Sequence, residues 1–249
     1  ALPEDLRAVA ATQAPQAWTS ADVLAIRRAG DVQISPDGKR IAYTVQASQR
    51  SGRATSQIWI HDVALGTTAR LGGDKDAGAT PRWSPDSQSL AFNGRMDDES
   101  GLGVQRMDGS PPLFLARIIG SNHPLPSAGD IFTWSSGSSR LAYVTGTPGP
   151  EAAEANGDPM VISRYLYKPG ASEGLTRFSD NRRLQIFMVD LVSREPRPVT
   201  QDAFSNHSLN WSPKGDDILF ISNREADPDR VFNYDIFAVN LAKGDIRRL

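Results

Sequence analysis

The chain is predicted to be all-β, a β-propeller of four-stranded antiparallel blades, because one turn phrase recurs four times and the same strand pattern follows each copy. The copies are Ile34-Ser35-Pro36-Asp37-Gly38, Trp83-Ser84-Pro85-Asp86, Trp134-Ser135 and Trp211-Ser212-Pro213-Lys214-Gly215. Measured on the serines, they lie 49, 51 and 77 residues apart. A period near fifty suits propeller blades, and the longer third interval carries an insertion.

The elements follow in chain order. Ser20 is read as the N-cap of a short helix that ends near Gly30, and residues 1–30 form an N-terminal extension. Ser-Pro-Asp-Gly is a tight reversal: proline fixes φ at the second position, aspartate bonds local backbone, and glycine closes the turn. β-branched and aromatic runs on either side, such as Ile41-Ala42-Tyr43-Thr44-Val45, make each turn the tip of a hairpin. Third strands are predicted at Gln57–Val63, Gly103–Asp108, Gln185–Leu191 and Asp235–Leu241, and short fourth strands at Thr68–Leu71, Pro112–Leu115, Arg197–Thr200 and Ile246–Leu249. The blades then span about 31–72, 80–116, 130–200 with an insertion at 146–183, and 207–249, so that 31–249 is a partial propeller.

Composition excludes several functions. Lys and Arg number 27 against 29 Asp and Glu, a net charge of −2 with no global bias, so no nucleic-acid partner is expected. No apolar run approaches the roughly 18 residues of a membrane span, and a soluble chain without a membrane partner is expected. The absence of cysteine removes disulfides, thiolate metal sites and a cysteine nucleophile.

The insertion is the segment that the repeat does not explain. Its middle, Val161 to Lys168, alternates as a strand does and carries Arg164, Tyr165, Tyr167 and Lys168. Those groups suit a surface that contacts substrate or a neighbouring domain by stacking, hydrogen bonding and charge; a solvated surface hairpin is the plainer alternative. His61, His123 and His207 each stand alone and are read as strand or loop packing. Asp97-Asp98-Glu99 lacks the ligand spacing of a calcium loop and is read as a hairpin tip, so neither metal nor cofactor is expected. Trp83, Trp134 and Trp211 recur with the repeat and are assigned to packing between blades.

The turn phrases, the third strands ending in Asp-Leu or Asn-Leu, and Phe220–Glu225 followed by Phe232–Phe237 resemble the propeller of prolyl oligopeptidase family serine peptidases, especially the acylaminoacyl-peptidase and dipeptidyl-peptidase branch. Arg164-Tyr165-Leu166-Tyr167-Lys168, leading through Asp180-Asn181-Arg182-Arg183 into a strand, is similar to the same branch. The resemblance implies a seven- or eight-bladed propeller that restricts access of short peptides to a separate α/β-hydrolase domain bearing a Ser-Asp-His triad. This chain is read as lacking that domain and its Gly-x-Ser-x-Gly elbow, hence as an N-terminal part of a longer peptidase, inactive alone. The alternative is a TolB-like propeller that binds a protein partner without chemistry. An open four-blade piece exposes apolar sheet faces, so its expected partners are the remaining blades and the hydrolase domain of the same protein, or another copy. The trimmed-looking start and the lack of cysteine suggest a periplasmic or secreted location, with the cytoplasm as the alternative.

Overall fold

The computed structural model describes residues 17–47, 54–73, 76–96, 99–122, 129–151, 164–165 and 179–249. These residues form one short helix and four antiparallel four-stranded sheets. The first blade is β1 (Arg27–Ile34), β2 (Arg40–Ala47), β3 (Thr55–Asp62) and β4 (Thr67–Arg70). The second is β5 (Ala77–Trp83), β6 (Ser89–Met96), β7 (Glu99–Arg106) and β8 (Leu113–Arg117). The third is β9 (Phe132–Trp134), β10 (Arg140–Pro148), β11 (Arg182–Asp190) and β12 (Arg197–Pro198), and the fourth is β13 (Asn206–Trp211), β14 (Asp217–Ser222), β15 (Asp235–Asn240) and β16 (Ile246–Arg248). Within each sheet the strands pair in chain order.

The helix α1 (Ser20–Ala25) is capped by Thr19 rather than by Ser20. The Asp22 amide donates to Thr19 Oγ1 at 3.2 Å and the Thr19 amide donates back to the Asp22 carboxylate at 2.8 Å, a reciprocal capping box. The helix stops at Ala25, short of Gly30, because the chain from Arg27 onward is already paired with β2, Arg27 against Ala47. A bulge between Gly30 and Gln33, with Asp31 at φ 44°, bends β1.

The hairpin turns share one set of bonds. In all four blades the phrase serine accepts from the amide five residues on: Arg40, Ser89, Arg140 and Asp217 donate to Ser35, Ser84, Ser135 and Ser212 at 2.9, 2.9, 3.1 and 3.0 Å. The fourth turn residue is left-handed throughout, at φ 71°, 62°, 56° and 77° for Gly38, Ser87, Ser138 and Gly215. A serine there costs about 1–2 kcal/mol of backbone strain relative to its right-handed conformation. Both serines are also acceptors for the blade before: Asp37 N–H donates to Ser87 Oγ and Asp86 N–H to Ser138 Oγ, each at 3.1 Å. The strained residue thereby links adjacent turns.

Blades pack through three apolar clusters, one at each junction. Ala42, Ile58 and Leu71 of the first blade meet Trp83, Leu90 and Phe92 of the second. Ala91, Leu102 and Val104 then meet Trp134, Leu141 and Tyr143, and Ala142, Val144 and Ile186 meet Trp211, Ile218 and Phe220. Alternation along each central strand explains the arrangement, since Leu90 and Phe92 face one neighbour while Ala91 faces the other. The indole N–H groups of Trp83, Trp134 and Trp211 donate to the carbonyls of Gln33, Arg82 and Thr133 in the preceding blade, at 3.1, 2.9 and 3.1 Å. Burial of the ring and satisfaction of its polar edge therefore occur at the same junction.

The relay between turns makes a prediction about Ser87. In the intact protein, Ser87→Ala loses the bond and keeps a Cβ in left-handed backbone, and should cost about 1–2 kcal/mol. Ser87→Gly loses the same bond but relieves the strain, so its denaturant midpoint should fall less. Equal midpoints for the two variants would show that strain at this position contributes nothing.

Candidate functional site

The insertion in the third blade is held by contacts at both ends and in its middle. At its start, Gly149 lies so close to the chain that a Cβ would stand 2.2 Å from the Asn181 carbonyl oxygen, and the Gly149 amide donates to that oxygen at 2.9 Å. Only glycine permits this approach. At its end, Asp180 and Asn122 bond reciprocally: Asp180 N–H donates to Asn122 Oδ1 at 2.8 Å, and Asn122 N–H to Asp180 Oδ2 at 3.2 Å. That pair ties the insertion to the connection between the second and third blades.

The middle anchor is Arg164. Its guanidinium pairs with Asp229 of the fourth blade, Nε to Oδ2 at 3.1 Å and Nη2 to Oδ1, and both side chains are buried, at 9% and 5% exposure. Glu151 Oε1 lies 3.9 Å from Arg164 Nε and accepts from Arg183 Nη2 at 2.6 Å. Arg183 Nε donates to the Ala203 carbonyl at 2.7 Å. Two cations and two anions thus form one buried network between the third and fourth blades. Removing one partner of a buried pair typically costs about 3–5 kcal/mol, whereas an exposed pair is worth about 0–1 kcal/mol.

Space beside this network is limited. The cavity bounded by Arg164, Asn223, Asp229 and Tyr234 has a volume of about 20 Å³, room for one water at most. A larger open cleft of about 450 Å³ lies next to it, lined by Thr147, Pro148, Gly149, Gln185, Thr200 and Asp202. Its floor is a polar network in which Gln185 Oε1 accepts from Thr200 Oγ1 at 2.7 Å and from Asn206 Nδ2 at 3.2 Å. Arg224 Nη2 donates to Asp202 at 2.6 Å, and its guanidinium lies over the Phe237 ring at 4.9 Å. Its volume lies in the range of small-ligand clefts and its lining is mixed polar and apolar.

His207 lies within β13. Its Nδ1 is 2.9 Å from Ser208 Oγ, its ring meets Tyr234 edge-on at 5.9 Å, and its Nε2 is buried without a hydrogen-bond partner among the described residues. Burial pushes its imidazole below the ordinary value. Burial likewise raises the Tyr234 phenol, against an opposing hydrogen bond from Asn223.

The four insertion residues singled out by sequence fare differently. Arg164 is buried on Asp229, while Tyr165 is 60% exposed with the Arg230 guanidinium 4.5 Å above its ring. Tyr167 and Lys168 lie outside the described residues, as do His123, Asp97 and Asp98. Glu151, Asp229 and Arg230 were not anticipated, and Arg183 entered only within the Asp180–Arg183 stretch, since a charge in a loop or at a strand end carries no periodic signal. The reading that no Gly-x-Ser-x-Gly spacing occurs is corrected by Gly170-Ala171-Ser172-Glu173-Gly174. The spacing falls at residues outside those described, in an insertion between two antiparallel strands, β10 and β11, whereas a nucleophile elbow joins a strand to a helix in an α/β-hydrolase sheet.

Comparison with known proteins agrees with this architecture. No family model matches the chain. It is 28% identical over 229 residues to the uncharacterized peptidase YuxL of Bacillus subtilis, covering 88% of this chain and 33% of the relative. Among solved structures, Pyrococcus horikoshii acylaminoacyl peptidase superposes with a TM-score of 0.64 at 16% identity, over 91% of this chain and 33% of that one. Porphyromonas gingivalis dipeptidyl peptidase 4 gives 0.58 at 14% identity, over 87% and 32%. TolB from Acinetobacter baumannii gives 0.50 at 15%, over 89% and 43%. The class is a β-propeller of four-stranded blades. Within it the chain is similar in fold to parts of acylaminoacyl peptidase and dipeptidyl peptidase 4, and it spans about a third of the length of the peptidases it resembles.

Two expectations follow. Asp229→Ala should destabilise the intact protein by about 3–5 kcal/mol, while Arg230→Ala stays within about 0.5 kcal/mol of the parent in denaturant unfolding. Because burial lowers the His207 pKa in the folded state, the unfolded state binds more protons as pH falls through the ordinary value of 6.5. Stability should therefore fall as pH drops from about 7 toward 5, and His207→Gln should flatten that slope. Identical slopes would remove His207 from the pH response.

Proposed function

We propose that this chain is the propeller region of a serine peptidase, which restricts access of short peptides to a separate α/β-hydrolase domain of the same protein. The observation that carries this reading is the match to a peptidase along most of the chain, in a fold that superposes better on acylaminoacyl peptidase than on TolB. The strapped insertion supports it, because Tyr165 and the 450 Å³ cleft flank the same buried network. In this reading Arg164 positions the insertion, and Tyr165, Tyr167 and Lys168 contact the peptide or the neighbouring domain. Further blades cover Val32 and Ile34 at one end of the arc and Ile236 and Leu249 at the other, all more than half exposed here.

The test is serine-directed fluorophosphonate labelling of the full-length gene product beside hydrolysis of short chromogenic peptides. Labelling that abolishes hydrolysis is the expected outcome. A full-length protein that neither labels nor hydrolyses, but retains a protein partner, would instead establish the TolB-like role.

A further inference from the structure

The insertion brings two arginines to one place, and their surroundings separate their roles. Arg164 is buried on Asp229, against a cavity of about 20 Å³, so an incoming anion would have to displace a buried carboxylate. Arg230 is one residue beyond Asp229 and has the opposite setting. Its side chain is 64% exposed, its guanidinium lies 4.5 Å over the exposed Tyr165 ring, and Asp227 engages its Nε at 3.2 Å from a position itself 51% exposed. Among the described residues Arg230 makes no other ion pair. An exposed pair of this kind exchanges readily for a ligand carboxylate, and a guanidinium stacked on an aromatic ring keeps its edge for bidentate contact.

The loop that carries Arg230 is built to hold it. Asn223 Nδ2 donates to the carbonyls of Pro228 and Val231 at 3.1 and 2.6 Å, closing the loop across its base. The amides of Arg230 and Val231 both donate to the Asp227 carbonyl, at 3.2 and 3.1 Å. The Arg164–Asp229 pair fixes the insertion to this loop, which sets Tyr165 under Arg230. A buried clasp thus orders an exposed cation on an aromatic platform, and the ordering cost of binding falls accordingly.

We propose that Arg230, stacked on Tyr165, binds a carboxylate of a peptide, and that Asp227 occupies the same guanidinium in the free protein. This deepens the peptide reading above by naming the ligand group and moving the ligand-facing cation from Arg164 to Arg230.

The test is equilibrium binding of fluorescein-labelled tetraalanine to the full-length protein, as the free acid, as the C-terminal amide, and as an amide with one alanine replaced by glutamate. The acid should bind more tightly than the plain amide. Arg230→Gln should weaken the acid about tenfold and leave the plain amide unchanged, and Asp227→Asn should tighten the acid alone. Preference for the glutamate amide over the acid would place the recognised carboxylate on a side chain rather than at the terminus, and loss of that preference in Arg230→Gln would equally support the site. Equal binding of the acid, the plain amide and the glutamate amide, no binding of any peptide, or an equal loss for every peptide in Arg230→Gln overturns the proposal. Fluorophosphonate labelling of the same samples reports on the peptidase reading independently.

Discussion

The structure depends on a coverage constraint: no blade buries its own faces, so each must be covered by the next. The three tryptophans meet it twice over. Each ring fills a junction beside an alanine of the preceding blade, and each indole N–H reaches a carbonyl on that blade's first strand. A large aromatic supplies much of the junction's buried apolar area, and its one polar atom is satisfied by the partner sheet. The turn serines repeat this logic at the rim, where backbone strain at Ser87 and Ser138 is offset by a hydrogen bond to the neighbour. Stability is therefore distributed along the arc as a sum of junctions, much as in other repeat architectures.

The repeat is broken in the third blade. The insertion leaves β10, returns at β11, and is tied to the connection before it through Asn122–Asp180 and to the blade after it through Arg164–Asp229. Its described residues are thereby positioned from both neighbours. Burying four charges in such a network is costly unless all are paired, and the return is geometric specificity for the exposed residues beside it. Tyr165 and Arg230 are those residues, and the adjoining cleft meets the network at Ala203, whose carbonyl accepts from Arg183.

Much of this was legible in the residues. Ser-Pro-Asp-Gly encodes its turn locally, so the hairpins and the strand order followed from spacing alone, and the recurrence of tryptophan at one repeat position pointed to packing. The helix cap was misplaced by one residue because Thr19 and Ser20 are both competent caps and only the reciprocal bond with Asp22 distinguishes them. The site was legible only in part. Arg164 and Tyr165 stood out as a pair, but their separation into a buried anchor and an exposed platform is set by Asp229 and Arg230, some 65 residues away in sequence. Long-range ion pairs leave no local pattern. Ser87 and Ser138 were equally silent, since a serine at the glycine position reads as an ordinary substitution until its hydroxyl is seen on the neighbouring turn.

Hydrogen exchange of the indole N–H groups, followed by nitrogen-resolved NMR on the intact protein, tests the junction account most directly. Trp83, Trp134 and Trp211 should be strongly protected, opening only when blades separate, while Trp18, which is 75% exposed, exchanges at the free rate. Exchange of the three junction indoles as fast as that of Trp18 would contradict it, because blades joined through those rings cannot leave them open to water.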